Sequence, residues 1–214
     1  MQTNDRPISE LMISINKGAI QLPDFQRGWV WEDGRIKALI ASITNNYPVG
    51  AAMFLEYGND NIRFKYRVIE GVTATDVIPT ELILDGQQRL TSIYSSLYSR
   101  NAVHTRTDKG KKIFRYYYID IKKACDPNCD RVDAIFSVPE TRIITSNFGR
   151  DIELDLSDRT KEFENKMFPL NLILDFPEEQ NWQNEYYAFY NYNQEIIKEF
   201  TEFNKKIHYA NITV

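Results

Sequence analysis

Residues 82–97 read Leu-Ile-Leu-Asp-Gly-Gln-Gln-Arg-Leu-Thr-Ser-Ile-Tyr-Ser-Ser-Leu, and this stretch decides the fold. The apolar run 82–84 is typical of a short buried strand, and the apolar residues at 90, 93, 94 and 97 have the spacing of an amphipathic helix. Asp85-Gly86 joins the two with almost no loop. The sequence therefore predicts a strand over 81–85 that turns directly into a helix over 87–99.

The turn has the composition of an anion-binding site. The first backbone N–H groups of a helix have no acceptor inside the helix, and they attract phosphate groups. Gly86 permits close approach of the backbone, and Arg89 offers a forked cation to phosphate oxygens. Gln87 and Gln88 can donate and accept hydrogen bonds, while Asp85 can hold Mg²⁺, orient a ribose hydroxyl or cap the helix. We expect a nucleotide-phosphate site here; the alternative is a capping turn at the surface.

A second candidate element lies upstream, at Phe25-Gln26-Arg27-Gly28-Trp29-Val30-Trp31. It has no regular periodicity and combines an arginine with large aromatic residues. Gln26 and Arg27 can converge on the ligand of the first element, while Trp29 and Trp31 anchor the loop or stack on a base. The alternative is a loop pinned to the core by its tryptophans, with Arg27 in solvent.

Composition bounds the class of protein. The chain has 214 residues, 43% hydrophobic and 26% charged, which is typical of a globular domain. The net charge of −4 lacks the excess of basic residues typical of nucleic-acid-binding proteins, although it does not exclude local basic patches. We expect a cytoplasmic protein, because the first ten residues lack a signal-peptide core and no apolar run reaches the length of a membrane span. Cys125 and Cys129 are expected to be free thiols, since only His104 and His208 could complete a zinc site.

The absence of two common nucleotide-binding motifs excludes further classes of enzyme. The sequence contains no G-x-x-x-x-G-K-[ST], which excludes a P-loop enzyme, and no G-x-G-x-x-G after a strand. Asp120-Ile121-Lys122 resembles half of a metal-dependent nuclease site, with Asp85 as a conceivable partner. A charged strand end is the alternative for this tripeptide.

The remaining periodicity predicts an α+β fold. Predicted helices cover 8–20, 33–46 and 182–209. Predicted strands cover 50–57, 62–70, 113–121 and 210–214, the first two forming a hairpin turned at 58–60, and residues 101–112 are expected to be a surface loop. We expect a nucleotide-binding core over 1–100 and an accessory α+β region over 101–214.

The motifs above, together with Tyr47-Pro48-Val49-Gly50, resemble the N-terminal domain of GmrSD-type, modification-dependent restriction endonucleases, in the ParB/sulfiredoxin-like superfamily. Tyr116-Tyr117-Tyr118-Ile119-Asp120 and Phe168-Pro169-Leu170 also resemble this family. The resemblance implies a small mixed sheet with flanking helices, followed by a largely helical C-terminal extension. It also implies a nucleotide-binding sensor domain of a phage-defence enzyme, which hydrolyses a nucleoside triphosphate and is coupled to cleavage of foreign or modified DNA.

The resemblance also assigns roles to residues. Gly86 and Arg89 fall on the superfamily element that binds nucleotide phosphates. Gln87 and Gln88 replace the Glu-Arg pair typical of ParB proteins, and Gln87 also stands where sulfiredoxin needs its cysteine. The expected nucleotide-binding set is Gln26, Arg27, Asp85, Gly86, Gln87, Gln88 and Arg89, with Asp85, Gln88 and Arg89 catalytic and Mg²⁺ on Asp85.

The family also carries a C-terminal nuclease domain of the His-Asn-His type. This chain lacks one, so we expect it to be the sensor part of a longer enzyme that contacts DNA. Two alternatives to the nucleotide-binding role stay open. One is a non-catalytic DNA-recognition module that uses the same glutamines, arginines and tryptophans; the other is a metal-dependent nuclease built on Asp85, Asp120 and Lys122.

Overall fold

The computed structural model describes residues 6–58 and 64–208. The predicted strand 210–214, most of the turn at 58–60 and the first residues of the predicted strand 62–70 lie outside the described residues. The α-helices are α1 (Ile8–Asn16), α2 (Asp33–Thr44), α3 (Gln87–Leu97), α4 (Ile121–Cys125), α5 (Arg131–Ala134), α6 (Arg159–Glu164), α7 (Phe176–Phe189) and α8 (Gln194–His208). The strands are β1 (Ile20–Pro23), β2 (Met53–Glu56), β3 (Tyr66–Arg67), β4 (Glu81–Asp85), β5 (Val103–Arg106), β6 (Lys112–Asp120), β7 (Ile135–Pro139), β8 (Ile143–Ser146), β9 (Asp151–Asp155) and β10 (Met167–Pro169).

The first sheet is small and mixed, in the order β2-β4-β1-β3. Its inner strand β4 pairs in parallel with β1, with Ile20 opposite Glu81, and antiparallel with β2, with Phe54 opposite Ile83. Leu82 and Ile83 are fully buried at the centre of this sheet, whereas Leu84, the third residue of the predicted buried run, is 36% exposed. The predicted α+β class and the small mixed sheet with flanking helices are confirmed.

The predicted hairpin between 50–57 and 62–70 is wrong in its pairing. β2 lies against β4, and β3 lies antiparallel to β1. The backbone of the buried strand β4 needs hydrogen-bond partners along both edges; β1 supplies them along one edge and β2 along the other. The two predicted hairpin segments still touch through side chains, since the Tyr57 hydroxyl donates to the Phe64 carbonyl at 3.1 Å and the Tyr57 and Tyr66 rings meet edge to face.

The second sheet places β6 between β10 and β5, and β7 also pairs with β6. The predicted surface loop 101–112 is therefore wrong over Val103–Arg106, which pairs antiparallel with β6. Val103 and Thr105 are buried while His104 between them is exposed. This alternation is that of a half-buried strand, and the surrounding lysines and arginines hid it.

The long helix predicted over 182–209 is two helices. The chain breaks between α7 and α8, where Asn191 and Tyr192 have left-handed backbone angles, with φ of 50° and 55°. α8 then returns to bury Phe200 and Phe203, whose rings pack near Trp182 and Phe168. The expectation of a largely helical C-terminal region is confirmed.

One main apolar cluster runs from Ile8 to Ile207 and draws on both halves of the chain. The division at residue 100 remains a prediction. None of the helices in the described residues combines the length and apolar character needed to cross a membrane.

A buried acid lies under the second sheet. Glu162 is 4% exposed and accepts hydrogen bonds from the Tyr118 hydroxyl at 3.0 Å and from Trp182 Nε1 at 2.9 Å. Burial raises the pKa of Glu162, and the two donors oppose that rise only in part.

Candidate functional site

Both candidate motifs line one open cavity of about 460 Å³. One wall is the loop of residues 25–31, called here the FQR loop, which contributes Phe25, Gln26, Arg27 and Trp31. The other wall is the end of β4 and the first turn of α3, from Leu84 to Arg89. The structure thus brings every predicted nucleotide-binding residue to the same cavity.

The start of α3 presents backbone donors to this cavity. The first bond of the helix runs from the Leu90 N–H to the Gly86 carbonyl at 3.0 Å. In the described part of the chain, the N–H groups of Gln87, Gln88 and Arg89 have no protein acceptor, and no side chain caps the helix. These three donors, with the positive end of the helix dipole behind them, are available to an anion.

Gly86 is required by the backbone at this turn. Its φ is 92°, in the left-handed region, and an added Cβ would lie 3.0 Å from the Ala52 Cβ and 3.3 Å from the Ala52 Cα. A side chain here would both strain the backbone and push on the neighbouring strand segment. The glycine of the motif therefore has a structural reason that is independent of any ligand.

Gln87 and Gln88 hold the FQR loop against α3. Gln87 Nε2 donates to the Arg27 carbonyl at 2.7 Å, and Gln88 Nε2 donates to the Gly28 carbonyl at 3.2 Å. The Val30 N–H in turn donates to Gln88 Oε1 at 3.0 Å. Both side-chain amides are thus engaged with loop backbone, which fixes one wall of the cavity relative to the other.

Gln26 makes the corresponding contact from the loop side. Its Nε2 donates to the carbonyls of Ile83 and Leu84, at 2.6 Å and 3.1 Å. Its Oε1 is buried and has no donor among the described residues. Gln26 therefore ties the FQR loop to the end of β4, and its oxygen has no surface exposed to the cavity.

Sequence reasoning predicted the tryptophans as anchors of the FQR loop but missed Arg67, Ser92 and Thr105, which also hold it. Arg67 Nη2 donates to the Gln26 carbonyl at 3.1 Å, Trp29 Nε1 donates to Ser92 Oγ at 3.0 Å, and Thr105 Oγ1 donates to the Trp31 carbonyl at 2.8 Å. Each contact joins residues at least 40 positions apart, so no local pattern signals them.

Arg89 is packed against backbone rather than directed into solvent. Its guanidinium donates to the carbonyl of Val49 and, at 2.6 Å, to that of Ala51, and it lies 3.8 Å from the Asp85 carboxylate. A Cβ on Gly50, whose φ is 87°, would overlap Arg89 Nη1. The Tyr47-Pro48-Val49-Gly50 motif and the arginine of the turn therefore form one structural unit.

Two exposed charges line the cavity, Arg27 and Asp85, and Asp85 also forms the ion pair with Arg89. Arg27 is exposed, and its side chain has no hydrogen bond or ion pair within the described residues. The Asp85 side chain is 75% exposed. Phe25 at the mouth is 69% exposed, and its ring meets that of Phe64 edge to face, with ring centroids 5.5 Å apart. The mouth thus offers an exposed cation, a carboxylate and an apolar ring.

Asp85 is the one carboxylate among the residues that line this cavity. Within residues 6–58 and 64–208, no group of three or more His, Cys, Asp or Glu side chains could enclose an ion. Mg²⁺ commonly takes one or two carboxylates and fills its other positions with phosphate oxygens and water. One exposed carboxylate at an open cavity is compatible with that mode.

The structure does not gather the other candidate metal residues. Asp120 ends β6 in the second sheet and caps α4 by accepting from the Lys123 N–H at 3.0 Å, whereas Asp85 ends β4 in the first sheet. Asp120 and Lys122 do not line the cavity. Cys125 and Cys129 are half-buried free thiols, and burial raises the pKa of Cys125.

Comparison with known proteins places these features in a family. A family model described as GmrSD restriction endonuclease, N-terminal domain, matches residues 8–214. The uncharacterized protein MJ0686 of Methanocaldococcus jannaschii is 30% identical over 196 residues, which cover 89% of this chain and 31% of that protein. The chain thus spans about a third of the length of the relative it matches.

Proposed function

The chain belongs to the family of GmrSD restriction endonuclease N-terminal domains, and from this premise we propose that it binds a nucleoside triphosphate between the FQR loop and α3. One observation carries the proposal: the three residues whose backbone N–H groups lack protein acceptors line a cavity that two arginines also line. A polyphosphate has the charge and the acceptor oxygens to satisfy these donors.

Some residues around the cavity would bind the phosphates, and others would hold the binding residues in place. In this proposal, the N–H groups at the start of α3 bind phosphate oxygens directly, and the exposed Arg27 binds them from the other wall. Arg89 contributes positive charge from a fixed place, since two of its donors hold the segment at Val49 and Ala51. Gln87 and Gln88 keep the two walls together.

The same arrangement supports hydrolysis of the phosphoanhydride bond. Asp85 is placed to hold Mg²⁺ or to orient a water, and Mg²⁺, when bound with the nucleotide, neutralises charge on the phosphate oxygens. Gln88 acts by holding the Gly28–Val30 segment, because both ends of its amide are engaged there. Catalysis would then depend on positioning and charge stabilisation.

The proposal extends to the longer protein. As an N-terminal domain of a restriction endonuclease, this chain would act as the nucleotide-dependent sensor, and a nuclease domain elsewhere in the same enzyme would cut foreign or modified DNA. Its partners would be the nucleotide, DNA and that nuclease domain.

Calorimetric titration of the four ribonucleoside triphosphates, with and without Mg²⁺, tests the binding site. Arg27→Ala should lower the affinity for the preferred nucleotide about tenfold or more, since a hydrogen bond to a charged group contributes about 1.5–3 kcal/mol. Arg150→Ala is the matched control, because Arg150 is exposed and lies outside the cavity. The proposal fails if no triphosphate binds the folded protein, or if both Arg27→Ala and Arg89→Ala bind as the wild type does.

A further inference from the structure

The β5–β6 hairpin concentrates positive charge that the rest of the chain lacks. Residues 100–115 contain six Lys or Arg and one Asp, a net charge of +5, in a chain whose net charge is −4. Lys109, Lys111 and Lys112 are exposed at the tip, and Arg106 is half-buried beside them. None of these four side chains forms an ion pair within the described residues. Their charge is therefore available to a partner.

An aromatic groove runs along the base of this hairpin, between it and the FQR loop. It consists of two adjoining cavities, of about 380 Å³ and 340 Å³, which share Trp29, Glu70, His104 and Phe114. Phe114 is 43% exposed and packs edge to face on His104, with ring centroids 4.3 Å apart. Its ring therefore offers open surface to a planar group.

The acidic and basic residues of the groove lie at different ends. Glu140 lines the first cavity and Glu70 lines both, whereas Arg106 and Lys112 line the second cavity, near the tip of the hairpin. A phosphate would be attracted to the second cavity and the hairpin tip, away from Glu140. A nucleobase suits the groove, because its π-face stacks on aromatic rings and its amino groups can donate to carboxylates.

We propose that the hairpin and the aromatic groove together bind a nucleic-acid strand, with an unpaired base in the groove and phosphates along Arg106, Lys109, Lys111 and Lys112. This surface is separate from the nucleotide cavity and does not depend on it. The two are mechanically linked, since Trp31 lines both sites, its carbonyl accepts from Thr105, and Glu32 and Arg106 form a β-bridge. A strand on the hairpin would therefore contact the same FQR loop that lines the nucleotide cavity.

Fluorescence anisotropy with a labelled oligonucleotide of about a dozen nucleotides tests this surface, a length within the site sizes of single-strand binding grooves. The strand is offered as single-stranded DNA, as single-stranded RNA and as a duplex, over a series of salt concentrations. The first variant is the triple change Lys109→Gln, Lys111→Gln and Lys112→Gln. Its control changes three other exposed lysines to Gln, outside the hairpin and the groove: Lys17, Lys198 and Lys205.

We expect single strands, of DNA, RNA or both, to bind more tightly than the duplex. The triple hairpin variant should lose at least tenfold in affinity, and its slope of log K against log salt should be shallower by about 2, since each single-strand phosphate contact contributes about 0.7. The control should keep the wild-type affinity to within about twofold, because surface charges far from the strand are screened.

The groove is tested by Phe114→Ala and, in case that variant unfolds, by Phe114→Leu, which keeps an apolar side chain but removes the π-face. Either should weaken single-strand binding severalfold to about a hundredfold without changing the salt slope.

The proposal is overturned if the hairpin variant behaves as its control, or if the duplex binds as well as single strands and both Phe114 variants bind normally. Displacement of the strand by polyglutamate together with normal binding by the Phe114 variants would identify an acidic peptide as the occupant instead. Nucleotide titration of these variants should match the wild type, so failure here is distinguishable from failure of the nucleotide proposal.

Discussion

Replacing Gly50 by alanine tests whether Arg89 and the Val49–Ala51 segment form one unit. Alanine at the φ of 87° costs about 1–2 kcal/mol in backbone strain alone. The added Cβ also displaces the Arg89 guanidinium from the carbonyls of Val49 and Ala51.

The second cost can be bounded from the geometry. The guanidinium is the end of a flexible side chain that is already 27% exposed, so it can turn toward water. The loss is therefore closer to one charged hydrogen bond than to two, about 2 kcal/mol. Gly50→Ala should lower the free energy of unfolding by about 3–4 kcal/mol in total.

Gly149→Ala is the matched control, since Gly149 has a φ of 86° and an added Cβ there meets no atom within 4 Å. It should cost only the strain, about 1–2 kcal/mol. Urea unfolding of Gly50→Ala, Arg89→Ala and the double variant measures the coupling directly. In the Arg89→Ala background, Gly50→Ala should cost no more than Gly149→Ala does. An equal cost of Gly50→Ala in both backgrounds would refute the contact.

Two further predictions address the loop and the buried acid. Gln87→Leu should cost about 1 kcal/mol, because it leaves the Arg27 carbonyl with only the longer bond from Arg67 Nη2, at 3.4 Å. Trypsin should then cut after Arg27 faster than in the wild type, and an unchanged cleavage rate would contradict the role given to Gln87. For Glu162, burial raises the pKa in the folded state, so the folded protein binds this proton more tightly than the unfolded chain, whose pKa is about 4.5. Its contribution to stability is therefore fully present below that pH and is lost as pH rises through the folded pKa. The stability of the wild type relative to Glu162→Gln should fall between pH 4 and pH 8 in urea unfolding, and a constant difference would show that Glu162 does not titrate in this way.

Local patterns predicted the unit at the centre of the fold. The apolar run before Asp85, the glycine after it and the helical spacing from Leu90 onward are all contained within 16 residues, and β4 and α3 follow them closely. The convergence of Gln26 and Arg27 with this turn was likewise expected from residue chemistry.

The strand pairing and the break between α7 and α8 depend on contacts between residues far apart in the chain, which local patterns do not contain. Adjacency in the chain favoured a β2–β3 hairpin. Instead β2 pairs with β4, whose buried backbone has hydrogen-bond partners along both of its edges. The break before α8 uses left-handed Asn191 and Tyr192, with no glycine or proline to mark it. Residue type alone also could not show that Gln87 and Gln88 bind loop backbone, because their partners lie about 60 positions away.

The central claim is that the start of α3 and the FQR loop hold the phosphates of a nucleotide. Amide chemical-shift mapping by NMR, during titration of the preferred triphosphate, tests it at the atoms concerned. The backbone N–H signals of Gln87, Gln88 and Arg89 should shift most, together with the Arg27 side-chain signal. Saturable binding that leaves these signals in place and moves others would contradict the account.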